Sequence, residues 1–304
     1  MATIASSAFS LPKHLASGLW TKAQTGSTIA ALSASEPMLF GETQLMTLNT
    51  LPKAQYVSEG AAKSGTDPGF STKTVTPHKV QVTMRFNEEV QWADEDYQLG
   101  VLSTLSDATA LALARALDLG AYHGMNPLTG AAVAQIVVGD RIATTTNNTE
   151  IVTATLTTPD TVLEAAAGLV IADGYTPNGI AIDPAYAWTI ATARYTDGRK
   201  KYPELGLGVN VTSFEGIRAS VSSTVSGTPE GADTNIKAIV GDFAQFRWGV
   251  QRRVGVEKIL YGNPDGVGDL KANNQIALRA EVVYGWAVMD LNAFATVTDA
   301  VANV

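Results

Sequence analysis

"YVSEGAAKSGTDPGFSTKTVTPHKVQVTMRFNEEV", residues 56–90, changes character halfway along. Its first half is Gly, Ser, Lys and Asp with almost nothing to bury. From Val80 it alternates strictly, with Val80, Val82, Met84 and Phe86 on one side and Lys79, Gln81, Thr83 and Arg85 on the other. That period of two belongs to a half-buried strand. A good strand thus carries a long polar extension with no core of its own, and the extension needs an explanation.

The chain has 304 residues, 45% of them hydrophobic and 16% charged. That length suffices for one large core or two modest ones. No run approaches the ~18 apolar residues of a membrane span. The start, "MATIASSAFSLPKHLASGLW", lacks a basic stretch followed by an apolar one and does not read as a signal peptide. Cysteine is absent, which excludes disulfides, thiolate metal sites and a Cys nucleophile. The net charge is −8 and the pI about 4.9, without the basic stripe of a protein that grips nucleic acid. Arg199, Lys200 and Lys201 form the one basic triplet, beside a turn, and read as a solvated loop.

Around the opening stretch the order of elements is informative. Residues 1–50 mix small residues with isolated hydrophobes such as Leu19, Trp20 and Leu39, and read as an extended arm that takes its order from something else. After the strand, Leu99, Leu102, Leu105, Leu113 and Leu117 are spaced as on a helix, with Asp94 as N-cap and Gly124 near its stop. From Glu95 to His123 it would be roughly 40 Å long. Being rich in Ala and Leu on both faces, it is expected to be covered on more than one side.

Beyond "NPLTG" lies an alternating region. It reads as a strand at "AAVAQIVVGD", a helix from Pro159 to a stop at Gly174, a strand at "GIAI", a helix "AYAWTIATARY" ended by Asp197-Gly198, and strands at "EGIRASVSS" and "IKAIVGDF". Finally "NNQIALRAEVVYGWAVMD" alternates again. The sequence class is α+β. Its plain form is a single domain; its sharper form packs the first strand, the long helix and the last strand together, with the α/β region inserted between them.

Chemistry is hard to find. His14, His78 and His123 are far apart, show no metal spacing, and read as surface or helix-end residues. The nucleophile-elbow, P-loop and dinucleotide-binding patterns are missing, and "GLGVN" at 206–210 is a turn. "GNPDGVGD" offers Asp265 and Asp269 but lacks the acidic density of a calcium loop. Glu88/Glu89 and Asp94/Asp96 are explained by solvation and capping. No catalytic, cofactor-binding or metal-ligating residue is expected, and the sequence argues against an enzyme.

Together, four stretches in this order resemble the major capsid proteins of tailed bacteriophages with the Hong Kong 97-type fold. "EGAAKSGTDPGFSTKTVTPHKVQVTMRFNEEV" resembles their E-loop and the strand entering the P-domain. "EDYQLGVLSTLSDATALALARALDLGAYHGMNPLTG" resembles the spine helix and its exit turn. "NGIAIDPAYAWTIATARYTDGRKKYP" is similar to the A-domain helix and loop, and "DLKANNQIALRAEVVYGWAVMDLNAFATV" to the closing segment. The likeness runs from about Leu11 onwards.

The resemblance implies an N-terminal arm over residues 1–50, an E-loop over 51–78, a first part of the P-domain with the spine helix over 79–127, an A-domain over 128–250, and a P-domain return strand and C-terminus over 251–304. It implies a structural protein assembling as hexamers and pentamers into an icosahedral shell around double-stranded DNA, without a membrane and without sequence-specific DNA binding. Separate scaffolding, portal and decoration proteins are the partners it suggests besides further copies of the chain. The virion capsid, assembled in the host cytoplasm, is the implied location. An encapsulin-type cargo compartment shares the fold and is the near alternative; a soluble α/β enzyme is the distant one.

The polar extension would then lie across a neighbouring subunit, whose surface offsets the ~1–2 kcal/mol per residue of backbone ordering entropy. Glu59, Lys63, Asp67 and Lys73, alternating in sign, are expected to pair with charges on adjacent subunits. Leu102, Leu105 and Leu113 are expected to seat the spine helix on the sheet. Some members of the family join an E-loop Lys to a neighbour's Asn; no acceptor maps here, so Lys63 and Lys73 read as ordinary surface lysines and the shell as non-covalent.

Overall fold

Strand β2 (Phe70–Asn87) carries the alternation of the opening stretch and begins well before Val80. Its second part, Thr76–Asn87, pairs antiparallel with β9 (Gln275–Val288), placing Val80 opposite Val282 and Val82 opposite Ala280. Its first part, Phe70–Val75, pairs with β1 (Thr43–Leu48). On the other side of β9 lies β8 (Phe246–Ile259), giving a first sheet of order β1-β2-β9-β8. These relations come from a computed structural model that describes residues 27–48, 53–65, 69–88, 95–151, 159–206 and 211–299; the side chains of residues 48, 95–106 and 253–255 are outside the description.

Helix α2 (Glu95–His123) lies on this sheet. Ala110, Leu113, Ala114, Leu117 and Ala121 share a core with Val282, Tyr284 and Trp286. The helix approaches closely at Gly120, where a Cβ would stand 3.0 Å from the Trp286 ring. It stops at Gly124, whose φ of +65° suits glycine and whose missing side chain leaves room for Arg141.

A second sheet has the order β3-β10-β7-β4-β6-β5. It consists of β3 (Asn148–Ile151), β4 (Gly179–Ile182), β5 (Ser213–Phe214), β6 (Ile217–Val221), β7 (Ile236–Gly241) and β10 (Phe294–Asp299). Helices α3 (Pro159–Ala172) and α4 (Pro184–Thr192) cover it through Val162, Leu163, Ala166, Val170, Tyr186 and Ile190. Asp183 caps α4 by accepting from Ala185 N at 2.9 Å, with Pro184 following as the first helical residue.

Five expectations need correcting. The apolar run at 131–140 is not a strand: Val138–Asp140 and Ile142–Thr144 are 3-10 turns. Side chains take its carbonyls instead, Arg141 those of Val133 and Ile136 and the Trp286 indole that of Asp140. Helix α4 ends at Thr192, short of Tyr195, because residues 193–201 fold back on themselves with Tyr195 N donating to Arg199 O at 2.9 Å. Strand β8 is an element the periodicity did not reveal; register shifts between Val250 and Arg252 and between Val254 and Glu257 break its alternation.

The arm is the fourth correction. Helix α1 (Thr28–Leu32) buries Ile29 and Leu32 in the chain's own core, so residues 27–36 dock on their own subunit. Glu36 N then donates to Trp248 O at 2.8 Å. Fifth, the described part of residues 251–304 is shared between the sheets, β9 and most of β8 in the first and Phe294–Asp299 in the second. After β9 the chain crosses back, and β10 pairs with β7 and β3 in the second sheet. Its apolar residues Phe294, Ala295 and Val297 are fully buried there, which is the reason for the return.

Candidate intersubunit surfaces

Beyond Val75, β2 loses its pairing to β9 and is held in a ladder with β1 alone. The two strands leave the body as a ribbon. Residues 53–65, between them, are exposed at every position. A two-stranded ribbon standing by itself is marginally stable in water, and this one carries a tip with no buried residue among 53–65.

The ribbon has two different faces. Cross-strand pairs Gln44–Thr74 and Met46–Thr72 lie on one of them, followed by Phe70, and no charge interrupts them. Met46 is 73% and Phe70 65% exposed. Single exposed hydrophobes are ordinary, but two on one charge-free ribbon face make it the candidate contact surface. The opposite face holds Leu45, Thr47, Ser71, Lys73 and Val75, and Val75 is fully buried at its base.

The charged residues singled out from the sequence fall in different environments. Glu59 and Lys63 are exposed and take part in no ion pair among the described residues. Asp67 lies outside the described residues. Lys73 is tied within its own chain: Nζ stands 3.1 Å from Asp140 Oδ1 and donates to Gly139 O at 3.2 Å. The 3-10 turn Val138–Asp140 thus supplies Lys73 with a carboxylate from its own chain. Leu113 is buried in the core shared with Val282 and Tyr284, and Tyr284 Oη donates to its carbonyl at 3.4 Å. Leu102 and Leu105 lie on α2, with side chains outside the described residues.

Other candidate chemistry is occupied by structure. In the basic triplet, Lys201 pairs with the buried Asp160 at 2.8 Å, Lys200 donates to Gly206 O and Arg199 pairs with Asp197. Asp265 pairs with Arg85, whose guanidinium holds the carboxyl below its usual range. His78 packs against Trp286 with ring centroids 4.3 Å apart, and burial lowers its pKa. His123, at the end of α2, faces the carbonyls of Thr224 and Val225, and burial lowers its pKa too. His123 is the helix-end residue the spacing suggested, though a buried one, and His78 is partly buried on β2. No group of His, Asp and Glu among the described residues is arranged to hold a metal ion.

One buried carboxylate was missed altogether. Asp118 on α2 is fully buried and accepts from Ser27 Oγ, Thr28 N, Thr28 Oγ1, Ile29 N and Thr224 Oγ1. Burial raises its pKa, against the pull of those donors. It joins α1, α2 and the turn after β6, so it is a structural junction and not a reactive site.

The family model described as the phage capsid family matches residues 7–299. The chain belongs to that family. The capsid protein is 25% identical over 258 residues to "Probable major capsid protein gp17" of Mycobacterium phage D29, covering 82% of this chain and 77% of that one. Among solved structures, a chain of Mycobacterium phage Ogopogo is 49% identical, with a TM-score of 0.81 over 98% of this chain and 100% of that one. A chain of Gordonia phage Cozz is 32% identical, with a TM-score of 0.77 over 90% of this chain and 86% of that one. The fold is that of Hong Kong 97-type capsid proteins, the capsid protein is structural and not an enzyme, and its copies assemble into the virion shell. No described helix is long and apolar enough to cross a membrane.

Proposed function

We propose that this capsid protein is the major shell subunit of a tailed phage, closing as hexamers and pentamers into an icosahedral shell around double-stranded DNA. The projecting ribbon carries this reading. Residues 53–65 are exposed at every position in their own subunit, and an ordered segment of that kind needs a surface supplied by another molecule. In this reading the ribbon and its tip are the E-loop, the first sheet with α2 is the P-domain, and the second sheet with α3 and α4 is the A-domain. Strand β1 belongs to the E-loop base, and the arm expected over residues 1–50 lies outside the described residues up to residue 26. The charge-free face with Met46 and Phe70 lies on the adjacent copy, while Glu59, Lys63 and Asp67 make weaker contacts at the rim. An exposed ion pair contributes only about 0.2–1 kcal/mol, but a closed shell repeats it in every copy. A net charge of −8 weakens non-specific hold on the packaged DNA. Assembly takes place in the host cytoplasm, with portal, decoration and, if used, scaffolding proteins as separate partners. The relatives are phage proteins, which favours a virion over a cargo compartment.

Deleting residues 60–71 should leave a folded, soluble subunit that does not close shells in electron micrographs. Normal particles from the deleted protein would remove the ribbon from the list of intersubunit clamps. With no Cys and Lys73 engaged in its own chain, non-covalent contacts hold the shell. Boiling wild-type particles in detergent should release one band near 31.9 kDa; a ladder of larger species would show a covalent link.

A further inference from the structure

Two polar contacts grip the ribbon at its root, one on each strand. On β2, Lys73 Nζ reaches both Asp140 Oδ1 and Gly139 O, at 3.1 and 3.2 Å. Asp140 is 5% exposed and itself fixed: its Oδ1 accepts from Val288 N and its carbonyl from the Trp286 indole. Just before β1, Gln251 on β8 donates from Nε2 to Gly41 O at 3.0 Å and accepts from Gly41 N at Oε1 at 3.3 Å. Gln251 reaches that point by crossing β9 over Gly285, where a Cβ would stand 2.5 Å from its Nε2 and 2.9 Å from Val75 Cγ1.

Both grips lie where the ladder to β9 ends, and the ribbon beyond them has no second neighbour in its sheet. Val75 and Phe70 stand five residue steps apart along the strand, a lever of about 16 Å at 3.3 Å per residue. A tilt of about 10° at the root therefore moves Phe70 by roughly 3 Å, enough to take a side chain out of one neighbour's groove and into another.

We propose that Lys73–Asp140 and Gln251–Gly41 form a paired clamp that sets the angle at which the ribbon leaves the body, and so the curvature at which copies of this chain meet. The inference rests on the shell reading above and names what regulates its geometry. Lys73 and Gln251 are positioning residues: they act through the ribbon, and contact with the neighbouring copy belongs to the ribbon itself.

The test uses the full chain, which has no Cys of its own, so that spin labels can be placed at Ser64→Cys and Leu111→Cys alone. Distances between them are measured in the unassembled subunit, and particle diameters of the unlabelled protein by cryo-electron microscopy. The neutral pair Lys73→Met with Asp140→Asn is compared with wild type, and Gln251→Met is the second variant; melting temperatures report folding. The clamp predicts a broader tip-to-body distance distribution in each variant and shells of mixed diameter. A distribution as narrow as wild type in a folded variant overturns the clamp. Broadened distances with uniform wild-type-sized particles overturn its control of curvature. A wild-type protein that formed no particles would count against the shell reading instead, and the distance measurement would still decide the clamp.

Discussion

Asp118 joins stretches that the chain keeps far apart. Its donors come from 90 or so positions upstream, at Thr28, and from 106 downstream, at Thr224. Within its own stretch, "LARALDLGAYHG", nothing distinguishes it from a solvated helical aspartate. Burial at this position is decided by partners whose identity depends on the finished fold, which is why periodicity could not show it. Asp118→Ala would leave the amides of Thr28 and Ile29 buried without their carboxylate acceptor. The expected cost is about 3 kcal/mol or more, read as a lower denaturation midpoint together with new protease cleavage in residues 27–36. A stability unchanged from wild type would mean that water replaces the carboxylate. Lys73 teaches the same lesson from the opposite side: the sequence shows a lysine in a polar segment, and only the turn at Val138–Asp140 shows that its charge is already answered.

At the scale of elements, legibility followed regularity. Helix α2 runs over Glu95–His123, the span its leucine spacing indicates, because one long helix under a continuous core keeps its period. Strand β9 was equally plain, and so was β2 from Val80 onward, since one face of each packs on α2; the first part of β2, from Phe70, was read as part of the polar extension. Strand β8 was hidden by its two register shifts, each of which turns the following side chains over. The apolar run at 131–140 misled for the converse reason. It alternates like a strand, but its backbone groups are satisfied by side chains, and Val137 and Val138 face outward. The seat of α2 on the sheet can be tested at one residue. Leu113→Ala removes a side chain that is 3% exposed and should cost about 2–5 kcal/mol through the cavity it leaves. Leu111→Ala, at a position 53% exposed, should change stability by no more than about 0.5 kcal/mol. Equal effects of the two in urea denaturation would place the helix on the sheet by a different face.

Over the whole molecule, the sheets are interleaved and cannot be cut apart at one point in the sequence. The first takes β1, β2, β8 and β9, the second takes β3 to β7 and then β10. An inserted region was legible because its helices and strands alternate between two long strands. The return of β10 was not, since "AFATVTD" is short and apolar and fits either sheet.

That return gives the chain a clock. Strand β3 has one partner in its sheet, β10, and β10 also closes the edge of β7. Residues 148–151 therefore emerge from the ribosome with nothing to pair against, and they wait until residues 294–299 have been made. Every other described strand is translated before the one that completes the second layer. It follows that a chain stopped before residue 294 lacks the strand that joins β3 to β7, and its second layer stays unfinished however much of the rest has been made.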